Sequence, residues 1–455
     1  MRLHDEPITI LGAGLTGALL AAILARRGMQ VEVIERQQDP RKVDAYAGRS
    51  INLAMAARGM NGLAVAGLTD AVAPLLCPMP GRLLHNTDGT QHFQPYSAHE
   101  HELNYSVSRA GLNAILLDAA EKAGAKFRFG QRCIDFVPME NRLTLETVGA
   151  DTSHCYSLTA SRLIAADGAG SPVRRALASL PGFDFEESLL DHLYQEIAIP
   201  PKGGHFAMEA EALHIWPRGG YMFIALPNPE RDFTGTLFMK AKGDADEPSF
   251  EWWQEPERAA RWFATTFSDV PALVPDLADQ LQNNPTGVMG TVRCNRWHLD
   301  DRILLIGDAA HAIVPFHGQG MNAAFEDCAA FSALLDTASD WRDLFERFSK
   351  ARVPNANAIA DMALENYIEM RDTVRDHKFH LKKALAFELE RMAPDQFISR
   401  YAMVMFHADI PYATAQERGR VQADLLDRWT SPHNELSEID LSQCLREARE
   451  ALPTL

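Results

Sequence analysis

Residues 7–35 read PITILGAGLTGALLAAILARRGMQVEVIE, and the order of textures in this stretch decides the fold. A short apolar run, 7–11, ends on Gly12-Ala13-Gly14-Leu15-Thr16-Gly17. An Ala/Leu-rich segment then closes on Gly28, as a helix with a glycine stop would. Val31-Glu32-Val33-Ile34-Glu35 follows and alternates like a strand. The whole is a βαβ unit. Glycines let the backbone approach a pyrophosphate, and N–H groups at the helix start favour its charge. A carboxylate ending the second strand accepts hydrogen bonds from ribose hydroxyls. The stretch therefore predicts a dinucleotide held by Gly12, Gly14, Gly17 and Glu35. Glu35 would repel a 2′-phosphate, which argues against NADP at this site. NAD and FAD both stay open on this evidence.

Outward from that unit, composition bounds the class. The chain has 455 residues, 46% of them hydrophobic and 23% charged, which is an ordinary globular balance with material for a large core. The net charge of −17 repels phosphate backbones, so nucleic acid is excluded as a partner. A local arginine can still hold an anionic substrate at short range. The six cysteines carry no C-x-x-C pair, which predicts reduced, mostly buried thiols and no zinc site or other metal. The first residues enter a strand directly with no signal-peptide pattern, and no run of about 18 apolar residues is present. A soluble cytoplasmic protein without a membrane anchor is expected. Oligomeric state is not legible.

Further along, residues 108–123 (SRAGLNAILLDAAEKA) have helical spacing, and KFRFG and RLTLETV are strand-like. Residues 163–168 (LIAADG) form another apolar run ending in a turn. Between about 185 and 290 the texture changes to aromatic, β-branched runs such as LHIWP, YMFIALP and FTGTLFM, separated by turn residues. The α/β texture returns with ILLIGD at 303–308 and a helix over about 320–337. From 341 the pattern is helical. The expected fold is α/β with a mixed (α+β) sheet domain. Its cofactor domain is discontinuous (1–184 and 290–340), its antiparallel-sheet substrate domain covers 185–289, and a C-terminal helical domain, a candidate lid, covers 341–455.

Two more motifs narrow the cofactor. Asp167-Gly168, with Ser171 and Arg174, resembles the D-G motif of single-component (class A) FAD-dependent aromatic hydroxylases. Gly307-Asp308-Ala309-Ala310-His311 resembles their G-D motif. With the glycine loop they stand in family order. The resemblance implies a Rossmann-type FAD-binding domain with tightly bound, non-covalent FAD. It places Asp308 at the flavin ribose, Asp167 in the cofactor site and Arg109 at the pyrophosphate. It also implies that Gly318, Gly320, Met321 and Asn322 present backbone N–H groups to the reduced ring. A second dinucleotide fingerprint is absent, as in a group whose NADPH binds only transiently.

The segments GRSINLA (48–54), QPYS (94–97), LHIWPRGGYMFIALPN (213–228), PFHGQGMN (315–322), ALENYIEM (363–370) and RYAMV (400–404) resemble the kynurenine 3-monooxygenase family across nearly the whole chain. That resemblance implies hydroxylation of L-kynurenine to 3-hydroxykynurenine with NADPH and O2, through a flavin C4a hydroperoxide. It assigns Arg82 and Tyr96 to the substrate carboxylate and Asn366 and Tyr401 to the same end. Leu213, Met222, Ile224, Leu226, Phe238, Pro315, Phe316, His317 and Met370 become the wall around the aromatic ring. A guanidinium fork and a phenol suit a carboxylate, and an aliphatic sheet face suits a ring. No catalytic acid or base is expected, because an aniline activates its own ortho carbon; His317 is assigned packing and flavin contact. Eukaryotic members of the family carry an apolar C-terminal anchor, whereas residues 408–455 here are polar. Competing readings are a class A hydroxylase acting on a phenolic acid, a flavoprotein reductase or cyclase, and a non-catalytic FAD-binding ligand sensor.

Overall fold

The structure is a computed structural model and describes residues 6–42, 52–97, 99–149, 154–244, 247–368 and 377–452. The chain divides into two compact units, each assembled from three stretches: 1–75, 107–189 and 290–360 in the first, 76–106, 190–289 and 361–455 in the second.

At the centre of the first unit lies strand Ile8–Leu11, every residue buried. It pairs in parallel with Val31–Ile34 on one side and Arg162–Ala165 on the other. Continuous apolar strands are what a parallel sheet covered on both faces requires. The sheet has six strands in the order His298–Leu299, Ile303–Leu305, Arg162–Ala165, Ile8–Leu11, Val31–Ile34, Lys126–Arg128. Only the pairing of the first two is antiparallel. Helix Leu15–Arg26 is buried along nearly its full length. Helix Arg109–Lys122 packs on it and starts from the Ser108 hydroxyl, which accepts the Gly111 N–H. Strands Gln131–Val137, Arg142–Thr147 and Cys155–Thr159 form a small antiparallel sheet.

The second unit holds a seven-stranded sheet ordered Thr286–Cys294, Phe185–Ile199, Phe233–Lys240, Met222–Pro227, Leu213–Pro217, Gly81–His85, Gln91–Pro95. The antiparallel texture expected over 185–289 is present. The hairpin Gly81–His85 and Gln91–Pro95 also joins this sheet, through a parallel seam to Leu213–Pro217. The expected boundaries leave 76–106 in the cofactor domain. These residues join the second unit because Gly81–His85 pairs with Leu213–Pro217, a seam that the hairpin's polar, turn-rich sequence does not announce.

Strand alternation splits the sheet into two faces. Trp216, Phe223, Leu237 and Ile197 point to one face and form a core with Phe263 and Phe267 of the segment between strands Phe233–Lys240 and Thr286–Cys294. Beyond residue 377 the helices His377–Met392, Tyr412–Thr430 and Leu441–Ala451 pack through Leu381, Leu385, Leu389, Leu425, Trp429 and Cys444, and a short helix, Arg400–Met405, lies between the first two in the chain. The i, i+4 leucine spacing places one apolar stripe on the partner helices. All six thiols are free, but only Cys294, Cys328 and Cys444 are buried. No helix among the described residues is long and apolar enough to cross a membrane.

Candidate functional site

The three glycines of the first motif do different work. Gly12 adopts φ +103°, where an added Cβ would lie 2.4 Å from the Ala166 carbonyl oxygen. A Cβ on Gly17 would lie 2.0 Å from the Gly12 carbonyl oxygen. These two let the loop, the helix and the neighbouring strand end pack closely. Gly14, the N-cap of helix Leu15–Arg26, has nothing within 4 Å of an added Cβ, and no side chain caps the helix. That open space beside uncapped N–H groups is a cradle for an anion. Glu35 braces it: one carboxylate oxygen accepts the Ala13 N–H at 2.7 Å and the other the Gln37 N–H at 2.8 Å. Each oxygen keeps a lone pair for a hydroxyl.

At the second motif, both carboxylate oxygens of Asp167 are buried and meet no hydrogen-bond donor. Burial pushes the Asp167 carboxyl up to about 6, with the charge of Arg174 pulling against it. Arg174 is wholly buried, and donates to the Ala309 carbonyl at 2.8 Å and to Ala169 and Glu187. It therefore ties the D-G loop to the G-D loop. In the G-D loop Gly307 sits at φ +60° against Thr16, and Asp308 is exposed at the start of the short helix Asp308–His311.

Beneath Gly307 lies a charged network that the sequence reading did not find. The Gly307 N–H donates to Asp327 Oδ2 at 3.1 Å, and His311 Nε2 lies 2.5 Å from the same oxygen. Arg352 Nε donates to Asp327 Oδ1 at 2.7 Å and its Nη2 to Glu326 at 2.7 Å. Arg58 reaches Glu326 at 3.2 Å. Burial opposes ionisation of Asp327, but the charges of His311 and Arg352 and their hydrogen bonds hold its carboxyl below the usual range. Trp297 stacks on His311 at 4.8 Å. The only sequence signal was the period: Asp327 lies seven residues, two helical turns, after Gly320.

Of the remaining cofactor-site expectations, Gly318 (φ +64°) and Gly320 precede and start helix Gly320–Leu335, and Met321 is half-buried there. Asn322 is fully buried and its side chain is committed: it accepts the Ala56 N–H and donates to the Ala54 and Gly318 carbonyls, each at 2.8 Å. It brackets the turn, leaving the backbone to face a ligand. Phe316 and His317 are buried, and Pro315 is exposed. Arg109 is exposed on the first turn of its helix. The open cradle at Gly14, the braced carboxylate of Glu35 and the donorless carboxylate of Asp167 fit a dinucleotide flavin.

The second unit gathers the other set. Register places Arg82 opposite Leu213, Pro217 opposite Met222, and Met222 opposite Phe238. Ile224 and Leu226 follow two and four residues after Met222. Arg82 and all five expected sheet residues therefore share one face, opposite the Trp216 core. Arg82 lies 5.7 Å from the Tyr96 ring centre and 5.9 Å from that of Tyr401, and the two rings stack at 5.6 Å. Its Nε is buried without a hydrogen bond. Asn104 donates to the Tyr401 hydroxyl at 3.3 Å. Burial raises the Tyr96 phenol to about 12 against the pull of Arg82, and raises Tyr401 further. Both phenols thus remain hydrogen-bond donors across the working pH range. Helix His377–Met392 brings Phe379, His380 and Lys383 to a recess beside Arg82; no motif pointed to them, because they lie about 300 residues away. Asn366 is half-buried on helix Trp341–Ile368. Met370, and residues 48–51 of the first family-like segment, lie outside the described residues. Among the described residues, no group of three or more His, Cys, Asp or Glu is placed to hold a metal ion.

Residues 5–363 match a family model for the FAD binding domain. The same fold occurs in 2-methyl-3-hydroxypyridine-5-carboxylic acid oxygenase (TM-score 0.65, 18% identity, 85% of this chain and 98% of that one). It occurs also in Klebsiella pneumoniae HpxO complexed with FAD and uric acid (TM-score 0.63, 18% identity, 86% and 94%). Glycine cradle, D-G and G-D loops and sheet together define an FAD-dependent aromatic monooxygenase. Within that class the chain is 44% identical over 454 residues to kynurenine 3-monooxygenase of Stenotrophomonas maltophilia (strain K279a), covering 99% of this chain and 98% of the relative. It is 44% identical over 449 residues to that of Xanthomonas axonopodis pv. citri (strain 306), covering 96% and 95%. The chain belongs to the kynurenine 3-monooxygenase family.

Proposed function

We propose that the protein hydroxylates L-kynurenine at the ring carbon ortho to its amino group, using FAD, NADPH and O2. The observation that carries the substrate assignment is Arg82 beside the stacked rings of Tyr96 and Tyr401, with a buried Nε that lacks a partner. An arginine so placed binds a carboxylate as a fork, and two protonated phenols supply neutral donors beside it. Leu213, Met222, Ile224, Leu226 and Phe238 continue the same face as an apolar wall for an aromatic ring. By the family resemblance Asn366 serves the carboxylate end, and Pro315, Phe316 and His317 belong to the wall of the ring.

Gly12, Gly14 and Gly17 hold the pyrophosphate, Glu35 and Asp308 the ribose hydroxyls, and Asp167 and Arg109 complete the cofactor site. Gly318, Gly320, Met321 and Asn322 set the backbone beside the flavin ring. When bound, FAD supplies the hydride acceptance and oxygen activation that no side chain provides. The protein's task is to bind, orient and exclude water. No residue need remove a proton, since the aniline lone pair drives attack.

The test is anaerobic flavin reduction by NADPH with and without L-kynurenine, followed by turnover under 18O2. Strong acceleration by L-kynurenine and one labelled oxygen in the product are expected. Acceleration by hydroxybenzoates and not by L-kynurenine would overturn the substrate assignment, and unlabelled product would overturn monooxygenation.

A further inference from the structure

On the sheet face away from Arg82, four groups form a line. Asp269 Oδ2 lies 2.9 Å from His85 Nδ1, His85 Nε2 lies 2.9 Å from His214 Nδ1, and His214 Nε2 lies 2.8 Å from the Glu209 carbonyl oxygen. Both imidazoles are buried. The Glu209 carbonyl can only accept, so His214 Nε2 carries a hydrogen. Three contacts require three protons distributed over Asp269, His85 and His214. Two neutral rings and one carboxylate own two. With only two, one contact sets lone pair against lone pair, either between the buried rings or at the half-exposed Asp269.

We infer that the His85–His214 pair holds one additional proton at neutral pH, and that this proton latches the strand carrying Arg82 to its neighbour.

The third proton sits on the rings. Asp269 is partly buried, which opposes ionisation, but donors His85 and Trp216 hold its carboxyl below the usual range. Trp216 Nε1 reaches both Asp269 oxygens at 2.9 Å. Burial pushes the His214 imidazole down to about 4, and it is His85 whose Nδ1 faces the Asp269 carboxylate, so the contact that needs the third proton lies at His85. His85 stacks on the Trp216 indole with centres 3.9 Å apart, an arrangement that favours a cationic ring. The other groups around the pair are the Glu209 carboxylate, whose charge acts on His214; Gln91, 3.4 Å from His85 Nδ1; and Arg218, which donates to the His85 carbonyl at 2.9 Å and to Thr266 at 2.8 Å. Asp269 is the carboxylate that balances the imidazolium.

The latch matters because of where it lies. The hairpin carrying Arg82 joins the sheet through three parallel residue pairs, and His85–His214 bridges that seam on the reverse face. His85 is therefore a positioning residue for Arg82, an assignment that rests on the carboxylate-clamp reading above. The latch holds while the third proton is retained and opens as pH rises and that proton leaves. Its acid limit comes from His214: with a depressed value, its cost appears as pH falls below the ordinary imidazole range towards 4.

The test uses the FAD-loaded enzyme labelled with 15N-histidine, with His85 and His214 assigned through His85→Gln and His214→Gln. Three protonated ring nitrogens of four are expected at pH 7. In Asp269→Asn the new amide can donate to His85 Nδ1, so two suffice. Two in the wild-type enzyme would overturn the inference. Kinetically, KM for L-kynurenine should climb by about 3-fold or more from pH 7 to 9 in the wild type and stay flat in Asp269→Asn, with kcat unchanged in both. Superimposable KM profiles would sink the positioning role. An unaffected Arg82→Met enzyme would instead sink the clamp reading while leaving the proton count intact.

Discussion

The two sites are made of different material. In the first unit the ligand cradle is backbone: Gly14 faces open space, and Gly12 and Gly17 are glycine because carbonyl oxygens occupy the places of their Cβ atoms. In the second unit the site is side chain: Arg82, Tyr96 and Tyr401 arrive from a hairpin, its exit and a helix some 300 residues later. A backbone site fails when a single carbon is added in the wrong place. A side-chain site fails when a charge or ring is removed. The cofactor loop also rests on a buried ion network, whereas the Arg82 cluster contains a cation without a carboxylate partner at Nε, ready for one from outside.

The most damaging change should be Asp327→Ala, which takes the carboxylate from buried His311 and leaves buried Arg352 with Glu326 alone beneath Gly307. A loss of about 3–5 kcal/mol in unfolding free energy is expected, read as a lower denaturant midpoint at unchanged slope. A loss below about 1 kcal/mol would show that the network does not support the loop. Next, Arg82→Met should weaken L-kynurenine binding by about 2–4 kcal/mol with normal FAD content. If FAD is lost with the substrate, the division of labour between the sites is wrong.

The glycines give a sharper contrast at lower cost. Gly17→Ala forces a carbon against the Gly12 carbonyl and should cost about 1–3 kcal/mol of apoprotein stability. Gly14→Ala meets nothing and should leave apoprotein stability within about 0.5 kcal/mol while weakening FAD binding. Fluorescence titration with FAD beside thermal melts separates the two effects. Equal destabilisation by both would remove the distinction between packing and cradle glycines.

The same difference explains what the sequence could reveal. Glycine spacing, a strand-ending Glu35 and a Ser108 cap report local backbone geometry, which neighbouring residues determine; the βαβ unit and helix Arg109–Lys122 were therefore legible. Arg82 with Tyr96 and Tyr401 was reachable only through family resemblance, because no local pattern records a meeting across 300 residues. Phe379, His380 and Lys383 beside Arg82, and the Asp327–His311–Arg352 network, were missed for the same reason. The His85–His214 line was hidden further still, since each histidine alone reads as a strand residue with an ordinary polar tip.

The smallest expected effect tests whether Asp167 belongs to the cradle or only to its loop. Burial raises its carboxyl to about 6, above the unfolded value. Its contribution to stability is thus complete below the ordinary carboxylate range and fades as pH rises through about 6. A sugar hydroxyl of the cofactor donating to it would relieve that penalty. The gap between the melting temperatures of FAD-loaded and apoprotein should therefore widen from pH 5 to pH 7.5 by about 2 °C. In Asp167→Asn that pH-dependent part should vanish and FAD should bind more weakly. A gap that is constant in the wild type would mean that Asp167 receives nothing from the cofactor, which would confine the recognised carboxylates to Glu35 and Asp308.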